Sequence, residues 1–319
     1  MRKADFTIKD EVNGPLDLHS TMRSGQTAEP EWFSASDGFW EGIGLEGGFV
    51  KVKVSQWGSV DEPELFVEAI SEEGLNLQPN MLDVIHEYLI SLFTLKYDLE
   101  SFYSKFRGDI IGFISPKLRG LRLMHGRDPF KSLVCSILSQ NASVWQWNIW
   151  VRRMSNLFSE LVRFDDGTIY HPFPDLEEFT SADREVLESC GIGYRARYLI
   201  EASLKVQSRD LSFSELKSMG YSEAKSKLME IDGIGPKVAD CFLLYGLGIE
   251  EAAPVDVWIH RIVSKLYFNG AKVSKEYVNR FLRDRYGSNA GLAQLYLYHY
   301  GRKFWKNNVE EDGPSSKLF

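Results

Sequence analysis

The sequence lacks the features of membrane and secreted proteins. Among its 319 residues, no apolar run approaches the roughly 18 residues that a membrane-spanning helix needs. The N-terminal stretch "MRKADFTIKDEVNG" has no apolar core of the kind found in signal peptides. Internal repeats and low-complexity segments are also missing. These absences predict a protein that is neither inserted in a membrane nor secreted.

Cysteine is scarce, which restricts the metal chemistry that we expect. Cys135, Cys190 and Cys241 lie far apart in the chain, and none of them belongs to a C-x-x-C pair. This pattern argues against a zinc site or a four-cysteine cluster, and it is typical of buried thiols in a reducing compartment. We therefore expect no metal site built from side chains.

Basic residues are outnumbered overall, although not in every part of the chain. The net charge is −8, which is unusual for a protein that binds nucleic acid. Residues 1–100 contain 7 lysines and arginines against 19 aspartates and glutamates, whereas residues 101–309 contain 29 against 23. The C-terminal two-thirds can therefore meet an anionic polymer.

The first hundred residues have the pattern of a β-sheet. Four stretches alternate or cluster apolar residues between Gly, Asp and Ser breaks, as strands do. An antiparallel sheet is expected, followed by a helix over "QPNMLDVIHEYLISLFTL" with Pro79 near its start. The four stretches are "DFTIKD", "LDLHSTM", "FWEGIGL" and "FVKVKVSQW".

From about residue 100 the hydrophobic period becomes helical. Asp128 and Pro129 begin one long helical stretch, and Ser181 caps another that stops at Gly191. We predict an α+β protein in which an N-terminal antiparallel sheet domain precedes a mostly helical, two-lobed region with a cleft between its lobes. The predicted parts are the sheet domain at 1–100, the helical region at 101–308 with a hairpin at 225–246, and a flexible tail at 309–319.

The stretch "SKLMEIDGIGPKVADCFLLYGL" predicts two helices joined by a tight turn. Gly233 and Gly235 permit positive φ and leave their backbone N–H groups uncovered, and Ile234 is an apolar plug between them. Pro236 suits the first position of the second helix. The N–H groups and the positive end of the helix dipole then form an anion site, and phosphate is the obvious anion. The alternative is an ordinary helical hairpin whose glycines only make the turn.

Lys237 and Asp256 stand out near this turn. A lysine at the positive end of a helix dipole is disfavoured as a cation, which favours the neutral amine that a Schiff-base nucleophile needs. Asp256, in "PVDVWIHRIV", is a good N-cap for the next helix and can still face a cleft. The alternatives are a solvated lysine and an aspartate that only caps.

The arrangement "GIGPKVADC" followed by "PVDV" is similar to the helix-hairpin-helix DNA glycosylase superfamily. It most resembles the eukaryotic-type branch of 8-oxoguanine DNA glycosylases/AP lyases. Other segments resemble the same branch in the same order, so the resemblance covers nearly the whole chain. They are "SGQTAEPEW", "DPFKSLVCSILSQN", "FPDLEEF", "GIGYRARYLIEAS" and "AGLAQLYLY".

The resemblance implies a base excision repair enzyme that extrudes a damaged base from duplex DNA. Lys237 would attack the sugar C1′, expel the base and leave a Schiff base that permits β-elimination. Asp256 would orient or deprotonate the nucleophile and stabilise the cationic sugar. The expected partner is double-stranded DNA with an oxidised purine, and a monomer without a required cofactor is expected. The hairpin carbonyls are able to hold a structural K⁺ or Ca²⁺. The expected location is the cytoplasm and nucleoid, or the nucleus of a eukaryote.

The resemblance also implies a base pocket. Gly25 matches the glycine whose carbonyl accepts the N7 proton that distinguishes 8-oxoguanine from guanine. Gln294 matches the residue that reads the Watson–Crick edge of the base. Cys241 and Tyr298 match the two groups that sandwich the ring, with tyrosine in place of the usual phenylalanine. From composition alone, these would be a loop glycine, an ordinary helical stripe and an inert core thiol.

A second set of matched residues implies contacts with the rest of the duplex. Asn141 matches the residue that fills the hole left by the extruded base, Tyr194 matches the wedge beside its partner, and Arg195 matches an arginine that bonds the opposing cytosine. Gln146 replaces a second cytosine-reading arginine, so looser discrimination of the opposing base is expected. Trp258 replaces a histidine usually found near the phosphate.

Two other functions are compatible with parts of this pattern. A monofunctional alkylbase glycosylase of the 3-methyladenine type shares the sheet-plus-helices architecture, but Lys237 argues against it. A helix-hairpin-helix module that binds DNA without catalysis is the non-enzyme alternative. The pair of Lys237 and Asp256, with the matched pocket positions, argues against that module.

Overall fold

The structure is a computed structural model that describes residues 1–28 and 32–305. The tail predicted at residues 309–319 and part of the matched stretch "SGQTAEPEW" lie outside the described residues. In the described ranges, no helix combines the length and the apolar character needed to cross a membrane.

The described N-terminal residues form an antiparallel sheet, as predicted. The hydrogen-bonded order of the strands is first, fifth, fourth, third, second. Buried and partly exposed residues alternate along the fifth strand, so one face of the sheet packs on the helices. This strand was not among the predicted ones. The strands are β1 (Lys3–Ile8), β2 (Phe33–Ser34), β3 (Phe39–Leu45), β4 (Gly48–Gly58) and β5 (Pro63–Ser71).

The strand predicted over "LDLHSTM" is wrong, because this stretch is a short helix, α1 (Leu18–Met22). The carboxylate of Asp17 accepts hydrogen bonds from the backbone N–H of Ser20 at 2.8 Å and from its hydroxyl at 2.6 Å. Asp17 is therefore a helix cap and not the polar position of an alternating strand. The helix leads the chain directly into the loop that contains Gly25.

A small hairpin from the second half of the chain packs on the sheet. Its strands are β6 (Val162–Arg163) and β7 (Ile169–Tyr170), and Phe164 forms a bridge with Glu72 beside the main sheet. Val162, Phe164 and Tyr170 share a hydrophobic cluster with aromatic residues of the sheet. The sheet therefore has neighbours far beyond residue 100, and the domain boundary there stays a prediction.

The remaining described chain is mostly helical, which confirms the predicted α+β class. Short 3₁₀ and π-helical turns extend several of the helices. The helices are α2 (Pro79–Leu92), α3 (Leu99–Lys105), α4 (Ile110–Ile114), α5 (Pro129–Leu138), α6 (Val144–Phe158), α7 (Leu176–Ser181), α8 (Arg184–Leu187), α9 (Arg195–Gln207), α10 (Phe213–Ser218), α11 (Tyr221–Leu228), α12 (Pro236–Cys241), α13 (Val257–Phe268), α14 (Lys275–Tyr286) and α15 (Ala290–Tyr300).

Two helix boundaries differ from the predicted ones. Asp128 caps α5 as predicted, but the chain breaks at Asn141, so the long predicted helix is the pair α5 and α6. Ser181 is the last residue of α7, and the N-cap position of α8 is Asp183. The break at Asn141 matters because it places a turn beside the functional cavity.

A buried arginine joins the N-terminal segments to the helical region. Arg122 is 1% exposed, and its guanidinium donates to the carbonyls of Asn13 at 2.6 Å, Thr94 at 2.8 Å and Pro15 at 3.0 Å. Burial lowers the pKa of Arg122 to about 10. Its carbonyl-lined position fixes the segment that supports the loop around Gly25.

Candidate active site

Six residues that the sequence singled out line one cavity. The cavity lies where the loop after α1 meets α12, α15 and the start of α13. The predicted wedge and opposing-base residues do not line it, but the turn between α5 and α6 does. The six residues are Gly25, Lys237, Cys241, Asp256, Gln294 and Tyr298.

The predicted hairpin is present between α11 and α12. Gly233 has a φ of +82°, and a Cβ there would lie 2.1 Å from Cγ of Tyr198, so this position requires glycine. Gly235 has a φ of −84°, so only one of the two glycines uses the positive φ that both permit. Ile234 is buried, and Pro236 occupies the first position of α12, as predicted.

Lys237, in the first turn of α12, reaches the cavity with its amine. Its Nζ donates to Oγ of Ser139 at 2.6 Å, just after α5. Burial raises the pKa of the Cys241 thiol, and the nearby Lys237 opposes that rise. Cys241 is therefore an apolar thiol in the cavity wall at neutral pH.

Asp256 is the N-cap of α13, as predicted, and it also lines the cavity. Its Oδ1 accepts the backbone N–H of Ile259 at 2.8 Å. This bond fixes the orientation of the carboxylate at the cavity wall. The capping role and the position beside the cavity are therefore compatible.

A buried polar network behind α12 was missed by sequence reasoning. Asp240 is 1% exposed and accepts hydrogen bonds from Lys225 at 2.7 Å, Tyr221 at 2.7 Å and Asn279 at 2.9 Å. Asn279 also donates to the carbonyl of Ala253 at 2.8 Å. Burial raises the pKa of Asp240, and the adjacent Lys225 opposes the rise. The network links α12, which carries the candidate nucleophile, to the segment before α13. The sequence signal for it was an aspartate inside the apolar run "VADCFLL".

The loop around Gly25 is bonded to the backbone of a neighbouring segment. Gly25 has a φ of +85°. The side chain of Gln26 donates to the carbonyl of Arg122 at 3.0 Å and accepts the backbone N–H of Met124 at 2.9 Å. The loop is therefore tied to the centre of the fold on the C-terminal side of Gly25.

Gln294 places an unpaired acceptor in the cavity wall. The residue is 5% exposed, and its buried Oε1 has no hydrogen-bond partner among residues 1–28 and 32–305. Such unpaired buried groups are uncommon and cost about 1–3 kcal/mol. Tyr298, one helical turn later, is half-buried, and burial raises its pKa, so its hydroxyl is protonated. The cavity therefore offers an acceptor and an aromatic face to a ligand.

Two of the predicted duplex-contacting residues meet at the turn after α5. Asn141 is exposed with a φ of +45°, and its Nδ2 donates to the hydroxyl of Tyr194 at 3.3 Å. Tyr194 is 47% exposed and lies edge-on to Tyr198. A polar side chain and an exposed ring therefore stand together beside the cavity.

Arg195 is buried, whereas an arginine that reads an opposing base would be exposed to the DNA. It is 6% exposed, it donates to the carbonyls of Gln140 at 3.0 Å and Ile192 at 3.1 Å, and its guanidinium is 4.5 Å from the ring centroid of Trp150. It supports the backbone directly before Asn141. Its contact with an opposing cytosine stays a prediction.

The first turn of α6 carries the other predicted duplex contact. The backbone N–H of Gln146 is capped by Oγ of Ser143 at 3.1 Å. Trp145, beside it, is 70% exposed, and Val144 lines the cavity. Sequence reasoning did not single out Trp145, because exposure of a tryptophan cannot be read from an amphipathic helix.

The start of α13 is also exposed. Trp258 is 39% exposed two residues after Asp256. The ring of His260 donates to the carbonyl of Val273 at 2.7 Å. His260 therefore does not substitute for the phosphate-contacting histidine that the family resemblance leads one to expect at position 258.

The described residues contain no group of His, Cys, Asp or Glu arranged to hold a metal ion. All three cysteines are buried, as the sequence predicted. A cation held by hairpin carbonyls stays a prediction.

Comparisons with known proteins place this chain in a class of DNA repair proteins. The family model for HhH-GPD superfamily base excision DNA repair proteins matches residues 134–287. A probable N-glycosylase/DNA lyase of Methanothermobacter thermautotrophicus is 32% identical over 309 residues, which cover 91% of this chain and 95% of that protein. The N-glycosylase/DNA lyase of Saccharomyces cerevisiae is 29% identical over 252 residues, covering 68% of this chain and 66% of that protein. The solved structure of MBOgg1 in complex with a low affinity DNA ligand has a TM-score of 0.81 and 27% identity, and covers 96% of this chain and all of that one.

The chain belongs to the HhH-GPD superfamily of base excision DNA repair proteins. The similarity to an N-glycosylase/DNA lyase extends over nearly its whole length, which confirms the resemblance seen in the sequence.

Proposed function

We propose that this protein is a bifunctional DNA glycosylase/AP lyase that excises 8-oxoguanine from duplex DNA. One observation carries the proposal: Lys237 and Asp256 line the same cavity as a positive-φ glycine and the unpaired acceptor of Gln294. The cavity thus combines a nucleophile and a carboxylate with acceptors for a purine that presents N–H donors.

Base recognition follows from the cavity wall. The Gly25 carbonyl accepts the N7 proton that 8-oxoguanine has and guanine lacks. Oε1 of Gln294 accepts a donor on the Watson–Crick edge, which removes the cost of its unpaired state. Cys241 and Tyr298 cover the two faces of the ring. An extruded normal guanine lacks the N7 donor and leaves one acceptor unsatisfied.

The reaction then uses the two charged residues. The Lys237 amine, once it has lost a proton, attacks C1′ of the flipped nucleotide, and the bond to the base breaks with its electrons on the base. Asp256 stabilises the positive charge that develops on the sugar. The attached nitrogen then loses a proton, and the C1′–O4′ bond breaks with O4′ taking up a proton, which leaves a Schiff base between C1′ and Nζ. Loss of a proton from C2′ of this Schiff base expels the 3′ phosphate by β-elimination. The hydrogen bond from Nζ to Ser139 orients the amine before attack.

The same proposal covers partners and conditions. The protein acts as a monomer on double-stranded DNA containing an oxidised purine, without a required cofactor. It acts in the cytoplasm and nucleoid, or in the nucleus of a eukaryote. The hairpin between α11 and α12 holds the DNA backbone, and its carbonyls bind a K⁺ or Ca²⁺ against a phosphate.

Borohydride trapping on a duplex with one 8-oxoguanine tests the proposal. Wild type should form a covalent adduct that Lys237→Gln abolishes, whereas Lys227→Gln, in the preceding helix of the hairpin, should trap normally. Base release without an adduct would contradict the lyase chemistry and favour a monofunctional alkylbase glycosylase. If neither oxidised nor alkylated bases are released, a non-catalytic DNA-binding module is the better interpretation.

A further inference from the structure

An arginine outside the predicted set contacts two walls of the base cavity. Arg302 lies one turn after Tyr298, in the π-helical turn Gly301–Trp305 that follows α15. Its Nη1 donates to the carbonyl of Ser24 at 3.2 Å, and its guanidinium carbon lies 5.4 Å from the ring centroid of Tyr298. Arg302 therefore connects the loop after α1 to the helix that carries the stacking ring.

The contact with the loop is close. A Cβ at Gly25 would lie 2.7 Å from Nη1 of Arg302 and 3.0 Å from a methyl group of Val144. The guanidinium therefore occupies the space that a side chain at residue 25 would need. The glycine allows both the positive φ and the approach of Arg302.

The loop is then fixed on both sides of Gly25. On one side, the side chain of Gln26 is bonded to the backbone of Arg122 and Met124. On the other side, Arg302 holds the carbonyl of Ser24. Arg302 bonds the peptide group before Gly25 directly, and the anchored side chain of Gln26 restrains the residue whose N–H shares a peptide group with the Gly25 carbonyl.

The tyrosine at residue 298 fits this arrangement. The guanidinium carbon of Arg302 lies 5.4 Å from its ring centroid, and this nearby cation opposes the rise that burial causes in the pKa of Tyr298. Phenylalanine, which the family resemblance leads one to expect at this position, would stack on a base equally well but would carry no hydroxyl. Tyr298 therefore meets Arg302 through its ring, as a cation–π contact.

We infer that Arg302 is a positioning residue that locks the Gly25 loop against Tyr298 and thereby holds the Gly25 carbonyl ready for the base. The inference rests on the proposed function, because it concerns the pocket for the excised base. A preorganised acceptor raises the rate of the base-dependent step, since little reorganisation remains when the base arrives.

The two activities of the enzyme separate this role from a general structural one. Excision of 8-oxoguanine needs the base pocket, whereas cleavage at a preformed abasic site needs Lys237 but no base. Arg302→Met should lower single-turnover release of 8-oxoguanine about tenfold or more, the effect of one lost charge-assisted hydrogen bond. Cleavage of the abasic duplex should stay within about twofold of wild type.

Matched variants sharpen the test. Arg302→Lys should recover part of the excision rate, and Tyr298→Phe should show a smaller loss than Arg302→Met. Lys303→Met removes the adjacent cation and should leave both activities unchanged. Thermal unfolding of each variant shows whether it is folded at the assay temperature.

Three results would overturn the inference. Equal losses of base release and abasic-site cleavage would mean that Arg302 acts on folding or DNA binding. Unchanged base release in Arg302→Met would mean that the loop needs no such anchor. If the wild type cleaves abasic DNA but releases no 8-oxoguanine, the proposed substrate is refuted, and with it this role. If the wild type excises 8-oxoguanine and Arg302→Met does so equally fast, the role of Arg302 alone is refuted.

Discussion

Replacing Gln294 by methionine tests whether its unpaired oxygen is reserved for a ligand. In the free protein the oxygen is buried without a hydrogen-bond partner in the described ranges, which costs about 1–3 kcal/mol. Methionine has a similar volume and no such oxygen, and volume-conserving changes usually cost less than about 1.5 kcal/mol. We therefore expect the unfolding free energy of Gln294→Met to be unchanged or up to about 2 kcal/mol higher.

The same variant should lose activity. A bound 8-oxoguanine would have one donor left without its acceptor, which costs about 1–3 kcal/mol and corresponds to roughly 5- to 150-fold in rate. Single-turnover excision at saturating enzyme measures this loss, and urea titration measures the stability. Stability and activity should thus move in opposite directions.

Gln26→Met is the matched control, because the amide of Gln26 is bonded at both ends. Its oxygen accepts from Met124 at 2.9 Å and its nitrogen donates to the Arg122 carbonyl at 3.0 Å. This variant should lose about 1–3 kcal/mol of stability because two backbone groups become unpaired. If Gln294→Met is destabilised as strongly as Gln26→Met, then Gln294 is paired in the free protein and the reasoning is refuted.

Three further predictions concern pH, DNA affinity and the opposing base. Burial lowers the pKa of His125 from 6.5 to about 4, so the unfolded chain binds more protons between these values. The unfolding free energy should fall by up to about 3 kcal/mol as the pH falls from 6.5 to 4, and it should fall less in His125→Gln. An identical pH dependence of the two proteins in urea titrations would refute this. Stacking on a base is worth about 1–3 kcal/mol, so Trp145→Ala should raise the Kd for a lesion duplex about 5- to 150-fold in anisotropy titrations. Trp57→Ala, equally an exposed tryptophan but on the sheet, should not change this Kd. The excision rate opposite A, G or T, divided by the rate opposite C, should be higher in the wild type than in Gln146→Arg. A strong preference for C in the wild type would contradict this.

Local chemistry made part of the fold predictable. Asp128 and Asp256 are N-caps because an aspartate before an apolar helical pattern has one stable use. The turn at Gly233 was visible because a glycine pair between two helical patterns marks a break. Asp17 was misjudged because a capping aspartate between two leucines imitates the alternation of a strand.

The parts of the site that depend on tertiary contacts could not be predicted. Arg302 looks like one of several basic residues in "GRKFW", and only the fold brings it to Gly25. The burial of Arg195 is equally invisible, because its partners are backbone carbonyls that every residue possesses. The resemblance to a known family, and not any local pattern, placed Gly25 and Gln294 in one pocket.

The cavity is assembled from stretches that lie far apart in the chain. Lys237 and Asp256, the proposed nucleophile and its carboxylate, belong to the helical region, whereas Gly25 comes from the loop after α1 in the N-terminal part. Under the proposed function, the contact that distinguishes 8-oxoguanine from guanine therefore comes from a different part of the chain than the nucleophile and the carboxylate. A change confined to the loop after α1 should therefore alter the choice between 8-oxoguanine and guanine while leaving cleavage at an abasic site intact.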